Sequence, residues 1–475
     1  MCPSTPPNGG RRCASPRQPD EFMALKLLNR TLLASVFTSL CLTMWPASPV
    51  LAQDAGAPDA NQTDFQGRST DEIYSDLQLF GEVFDRIRSE YVDVPDERQL
   101  IRAAIEGMLT SLDPHSGYLP PEAYESVRQD TSGEFGGLGV EITMEEGIVR
   151  VMNPIKDTPA FRAGILANDY IIALDGIPIL GRSLDETINQ MKGKVGTPIR
   201  VTLVREGVAD PFNVELDRGF IPVKAVRWRM QDDVAIMRLE SFSEQAFNGI
   251  EDAIHEIVDE NDSKLPKGII LDLRNNPGGL VDQAVYVADA FLSQGAIVMT
   301  RGRNPDENER YDAHPDDLDA LIKDVPVIIL INGGTASAAE ILSGALQDQK
   351  RATIIGTRSF GKGSVQLIIG LGSNGAMRLT IARYYTPSNR SIQASGIQPD
   401  ILIQQNVPEE FQGRDEVVGE AALEGQIGGG TDAEATSGSS TFVPADPEKD
   451  TQLNYALDLI LGKETNPAYP PDPNS

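Results

Sequence analysis

The spacing of apolar residues changes period three times along the chain, and each change marks a different kind of structure. Leu77, Phe80, Val83, Phe84, Ile87 and Tyr91 recur at three- and four-residue intervals, which predicts an amphipathic helix; residues 100–109 predict a second, so 70–130 reads as a helical region. Over 131–217 the period shortens. Brief β-rich runs at 139–143, 148–151, 170–174 and 199–204 are separated by glycine-bearing turns such as Asp175-Gly176, with one helix expected over 184–191. From 218 to 405 strand and helix alternate: apolar strands at 234–239, 268–273 and 325–331 lead into helices at 245–260, 280–293 and 337–348. Further strands are expected at 353–355, 365–369 and 377–385. Val325-Pro-Val-Ile-Ile-Leu-Ile331 is apolar throughout instead of alternating, the pattern of a strand covered on both faces. The expected fold class is α/β, multidomain (α+β) overall. Beyond 405 the chain turns acidic and, over 424–440, low in complexity. Residues 406–475 therefore read as a largely disordered tail with one short helix at 453–461.

Length and charge narrow this picture. At 475 residues more than one core is needed, and a formal charge of −29 argues against nucleic acid or an anionic membrane as partner. Residues 1–52 read as a leader. Met23 is the expected initiator, a basic stretch precedes the apolar 31–45, and small residues lead to a cut after Ala52. The apolar stretch is shorter than the ~20 residues of a membrane span, so membrane association follows only if the segment stays uncleaved. Residues 53–69 read as a flexible linker. Cys2, Cys13 and Cys41 all precede the cut, which leaves a mature chain without disulfides, thiolate nucleophile or cysteine-ligated zinc.

Candidate chemistry gathers on two loops. Ser337 follows the strand 325–331 in Asn332-Gly-Gly-Thr-Ala-Ser337-Ala-Ala-Glu340, on a strand-to-helix turn where unpaired helix N–H groups can stabilise an oxyanion. The same residues fit the capping box S-x-x-E, so by itself the serine also reads as a helix cap. Lys362 lies 25 residues on, in Gly361-Lys362-Gly-Ser-Val-Gln366. To accept a proton near neutral pH its amine must be desolvated, because an ordinary lysine titrates near 10.4. Gln366, four residues further, falls on the same face in a strand and can orient the amine. Gly356-Thr-Arg-Ser-Phe-Gly361-Lys362 begins like a phosphate-binding loop, but Gly363 stands where Ser or Thr must hold magnesium, and a strand follows instead of a helix. Asp272-Leu-Arg-Asn-Asn-Pro-Gly278-Gly279 presents adjacent glycines after an apolar strand, able to offer backbone N–H groups to a reacting carbonyl.

The histidines (His115, His255 and His314) accompany no G-x-S-x-G elbow, which disfavours a Ser-His-Asp triad. No H-E-x-x-H or acidic calcium loop appears, so no metal and no cofactor are implied. In the β-rich zone, Gly136-Gly137-Leu138-Gly139-Val140 can form a nest for a terminal carboxylate at the start of a strand, and Ile188 and Met191 on the helix supply an apolar wall.

Taken in order, Leu112-Asp-Pro-His-Ser-Gly-Tyr-Leu119, Gly136-Gly-Leu-Gly-Val140, Leu271-Asp-Leu-Arg-Asn-Asn-Pro-Gly-Gly279, Thr335-Ala-Ser-Ala-Ala-Glu340 and Gly361-Lys-Gly-Ser-Val-Gln366 resemble the C-terminal processing (tail-specific) peptidases. These are Ser/Lys serine endopeptidases with a PDZ domain. The resemblance implies a crotonase-like α/β peptidase core at 218–405 with an inserted PDZ domain at 131–217. It implies Ser337 as nucleophile, Lys362 as base and Gln366 as its orienting amide, with oxyanion donors on Ala338 and on Gly278 or Gly279. The partners it implies are protein substrates held by their C-termini. An activating adaptor and a homo-oligomer belong to the same expectation, as does a periplasmic or cell-envelope location. The outer serines of the family's usual Ser-Ala-Ser-Ala-Ser-Glu are here Thr335 and Ala339; the middle one is kept.

Overall fold

Alternate residues of the apolar strands point into two different cores, and this organises the molecule. The computed structural model describes residues 69–145, 147–261, 263–428 and 438–472, so the leader and nearly all of the linker lie outside the described residues. Residues up to Asp85 form one unit and those from Arg86 a second. Helix Thr70–Glu90 carries Ile73, Leu77, Phe80 and Val83 exposed. No helix among the described residues is long and apolar enough to cross a membrane.

The central sheet runs in the order Val226–Gln231, Val234–Leu239, Gly268–Asp272, Val327–Ile331, Ala352–Gly356, Ile401–Leu402; its first pair is antiparallel and the rest parallel. Ile269, Leu271, Val327, Ile329 and Ile331 face the larger core with helices Ala246–Glu260, Val281–Asp289 and Ala338–Asp348. Ile270, Ile328 and Leu330 face the opposite way, into a second core. Two covered faces explain why these strands read as unbroken apolar runs.

The cover on that second face corrects the expectation of a largely disordered tail. Helix Thr451–Ile460 lays Leu453, Ala456, Leu457 and Leu459 over Ile270, Ile328 and Leu330, which would otherwise meet water. A buried ion cluster anchors it. Arg274 donates to Asp272 at 2.8 Å and to both carboxylate oxygens of Asp450 at 2.8 Å, while Asp450 also caps the helix by accepting from the Leu453 N–H. Asp450→Ala leaves Arg274 half-paired in a dry site and is expected to cost about 3 kcal/mol. Chemical denaturation measures the loss; an unchanged midpoint would deny the cluster its anchoring role. The short helix expected at 453–461 is present; its docking is not legible locally, because the surface it covers comes from strands far away in the chain.

The β-rich zone has its own core of Leu138, Val149, Val151, Ile171, Leu174, Met191, Val201 and Leu203. Strands Val140–Glu145, Ile148–Pro154, Tyr170–Leu174, Pro198–Val204 and Phe212–Asp217 form an antiparallel sheet, with helix Leu184–Met191 before the fourth. Its entry Glu134–Gly137 pairs antiparallel with its exit Gly219–Pro222. The late strands 365–369 and 377–385 do not extend the central sheet as the simple alternation suggests. Ser364–Gly370 and Ala376–Tyr385 pair antiparallel in a separate sheet with Gly117–Leu119 and Gly295–Gly302, so the motif at 112–119 is delivered beside the lysine loop.

Candidate active site

Strand Val327–Ile331 ends in a loop stitched to the neighbouring strand's end. Asn332 Oδ1 accepts the N–H groups of Asn275 and Gly334 at 2.9 and 3.0 Å, Thr335 Oγ1 donates to the Leu273 carbonyl at 2.9 Å, and the Ala336 N–H donates to the Asn276 carbonyl at 2.9 Å. Ser337 then enters helix Ala338–Asp348 at φ 55°, ψ −116°. A capping serine ordinarily sits in the β region; a non-glycine residue here is strained, as at a nucleophile turn. The predicted capping box is present, with the Ser337 N–H donating to Glu340 Oε2 at 2.8 Å.

The glycine pair lies against this turn. Gly278 has φ 97°, and a Cβ there would come within 2.8 Å of Ser337 Cβ and 2.9 Å of the Ala338 nitrogen, so only glycine allows the approach. Its N–H donates to Asn276 Oδ1 at 2.9 Å. Of the expected oxyanion donors, Gly278 is thus already engaged, whereas the N–H groups of Gly279 and Ala338 have no acceptor among the described residues.

Lys362 reaches the same place from the loop before strand Ser364–Gly370. Burial lowers the proton affinity of its amine, and Arg378 pushes the same way; Glu420, Glu340 and Asp113 oppose them. The two loops meet on one carboxylate. Glu340 is fully buried and accepts from the Ser337 N–H at 2.8 Å, the Gly361 N–H at 2.7 Å, the Lys362 N–H at 2.9 Å and Ser359 Oγ at 2.6 Å. Burial pushes its carboxyl up to about 7 against these donors. Ser337 and Lys362 are therefore held by their backbones at one anchor, although no hydrogen bond joins the hydroxyl to the amine among the described residues.

Gln366 is placed differently from expectation. Its Nε2 donates to Ser364 Oγ at 2.8 Å and Thr380 Oγ1 at 3.3 Å, and no bond links it to Lys362. Thr380 in turn donates to Asp113 Oδ1 at 3.1 Å, and Asp113 holds the His115 and Ser116 N–H groups at 2.8 Å. The sequence reads Glu340 as a cap, gives His115 no catalytic role and assigns none to Glu420 in the tail. The S-x-x-E spacing is a signal for the first and the 112–119 motif for the second; nothing local marks Glu420.

The remaining predicted residues share one groove. Gly137, Leu138, Gly139, Val140, Ile188 and Met191 line an open cavity of about 1120 Å³ that continues past Trp228 to helix Ala246–Glu260. Gly139 has φ 81°, and its bare Cα leaves room for Thr158, whose Cβ a side chain would meet at 2.2 Å. An apolar wall, a glycine loop and a strand edge on one groove can take an extended peptide.

Comparison with known proteins identifies the family and its domains. Residues 233–403 match peptidase family S41, 136–216 match a PDZ domain, and 42–123 match the N-terminal domain of the activating protease CtpB. A carboxy-terminal-processing protease of Bartonella bacilliformis is 51% identical over 401 residues, covering 84% of this chain and 92% of that protein. A carboxyl-terminal-processing protease of Synechocystis is 35% identical over 328 residues, covering 67% of this chain and 75% of its own. The solved photosystem II D1 C-terminal processing protease is similar at 28% identity and TM-score 0.40, covering 70% of this chain and 93% of that one. The chain belongs to peptidase family S41: it is a serine-type peptidase of the carboxy-terminal-processing kind, with a PDZ domain.

Proposed function

We propose that the chain is an exported endopeptidase that processes or degrades proteins from their C-terminal region, using Ser337 and Lys362 as a catalytic dyad. The observation that carries this reading is Glu340, which ties the Ser337 and Lys362 backbones together beside two unused N–H groups. Neutral Lys362 takes the proton of Ser337 Oγ, and the oxygen attacks the peptide carbonyl. The N–H groups of Ala338 and Gly279 receive the developing oxyanion. Lys362 then passes the proton to the leaving amine, and water, deprotonated by the same amine, hydrolyses the acyl-enzyme. Substrate draws the hydroxyl and amine into contact, as catalytic hydrogen bonds are often long in free enzymes. Gln366 serves this scheme through Thr380 and Asp113, whose carboxylate acts electrostatically on the lysine.

The PDZ groove engages the substrate's free C-terminus, with the Gly137–Val140 loop on the carboxylate and Ile188 and Met191 on the terminal side chain. The leader directs the protein to the periplasm or cell envelope. The match at 42–123 and the exposed apolar face of helix Thr70–Glu90 support self-association or the docking of an activating adaptor. Tail recognition is tested with β-casein-derived peptides carrying a free or an amidated C-terminus. Amidation removes the charge that the nest binds and is expected to slow cleavage about tenfold or more; equal rates would show that the carboxylate is not read.

A further inference from the structure

The match to the peptidase family ends at 403, yet the chain beyond it enters the lysine pocket. The Glu420 N–H donates to the Phe360 carbonyl at 2.9 Å. Its carboxylate, wholly buried, accepts from Gln393 Nε2 at 2.8 Å and lies 2.8 Å from His115 Nε2 through both oxygens. Gln393 Oε1 in turn accepts the Gly363 N–H at 3.0 Å. Lys362 is thus bracketed: Phe360 on one side and Gly363 on the other are tied to one residue of the tail. The His115 carbonyl also accepts from Arg378 Nε at 2.7 Å, so the same cluster seats the cation that faces the amine.

We propose that Glu420 is a positioning residue for Lys362: it fixes the lysine's loop on both sides, through Phe360 and through Gln393 and Gly363, so that the acidic tail completes the active site. An ionisable group is costly in a dry pocket, and an amide would satisfy Gln393 as well. What the carboxylate adds is charge. The groups facing Lys362 are Arg378 from strand Ala376–Tyr385, Glu340 from helix Ala338–Asp348, Asp113 from the 112–119 loop and Glu420 from the tail, with His115 against Glu420. Arg378 favours the neutral amine and the carboxylates favour the protonated one. Glu420 therefore helps Lys362 hold the proton it has taken from Ser337 until the leaving amine receives it. The proposal rests on the reading of Lys362 as the base.

The test follows β-casein cleavage from pH 6 to 10 by the full chain and by Glu420→Gln, Glu420→Asp, Gln393→Ala and Lys362→Ala. Glu420→Gln is expected to lower kcat about tenfold to a hundredfold with KM unchanged, and to move the acid limb down by about half a pH unit or more. Glu420→Asp keeps the charge, so its limb stays at the wild-type pH while kcat falls. The proposal is overturned if Glu420→Gln matches the wild type, or if its rate falls with the limb unmoved, which would leave Glu420 a purely structural support. Should Glu420→Gln fail to fold by near-UV circular dichroism, Gln393→Ala decides: a fall in kcat of about tenfold supports the loop tether, and an unchanged kcat overturns it. Activity in Lys362→Ala at the wild-type rate would instead remove the base assignment itself.

Discussion

Ser337→Ala and Lys362→Ala are each expected to lower kcat/KM by at least about a thousandfold, and the double variant to lose little more than either alone. Non-additivity follows if the two side chains act as one unit: a hydroxyl without its base and a base without its hydroxyl are equally idle. Lys362→Arg is expected not to rescue, because a guanidinium stays protonated and cannot accept the serine proton. Wild-type kcat/KM should rise with pH through an acid limb lying below the ordinary lysine value of about 10.4, since burial and Arg378 favour the neutral amine. Stability gives an independent readout of the same group. A lysine whose proton affinity is lower folded than unfolded costs the fold most at low pH. That cost disappears as pH climbs through the unfolded value. Lys362→Met should therefore raise Tm at neutral pH, and the gain should fade toward pH 10. Hydrolysis by Lys362→Ala at the wild-type rate would sink the dyad.

Glu340→Ala should be the most damaging substitution at a residue outside the chemistry. It strands the N–H groups of Ser337, Gly361 and Lys362 and the hydroxyl of Ser359, all pointed at a site closed to water. At about 1–3 kcal/mol for each stranded donor, a loss of about 5 kcal/mol or more is expected, with activity falling as the two loops come apart. Glu340→Gln probes the charge. The folded carboxyl titrates at about 7, above its ordinary 4.5, so the folded state binds the extra proton between those values. Its contribution is fully present below 4.5, declines as pH rises, and is gone above about 7. The change across that window is on the order of 3 kcal/mol. Subtracting the unfolding free energies of Glu340→Gln from those of the wild type, pH by pH, should reveal a downward slope from pH 4.5 to 7. A flat difference would mean that Glu340 is charged throughout.

Much of the fold was legible because its signals are local. The period of three to four residues over 77–91 and the run 100–109 mark the helices found at Thr70–Glu90 and Glu97–Thr110, and unbroken apolar runs mark the parallel strands, since each such strand is covered on both faces. Asp175-Gly176 marked a hairpin turn whose two residues take φ 50° and 78°. The tail's short helix at 453–461 is likewise legible, but the order it brings to the tail is not: the helix is stabilised by contact with Ile270, Ile328 and Leu330, and no residue near it in sequence reports that contact. Gln366 was expected on the lysine because residues four apart in a regular strand share a face. A register shift between Val365 and Gln366 breaks that regularity, and its amide turns to Ser364 and Thr380.

The sequence by itself determined the order of the domains and which serine and lysine are candidates, because a strand followed by a glycine-rich turn and a helix is written in consecutive residues. Only the tertiary structure decided how those candidates are held. Glu340 spans two loops, Asn276 removes Gly278 from the free donors, and the tail's Glu420 lies on His115 across 305 residues of chain. These are hydrogen bonds among buried groups brought together by the packing of sheets and helices. Their partners are distant in sequence, so no local pattern encodes them.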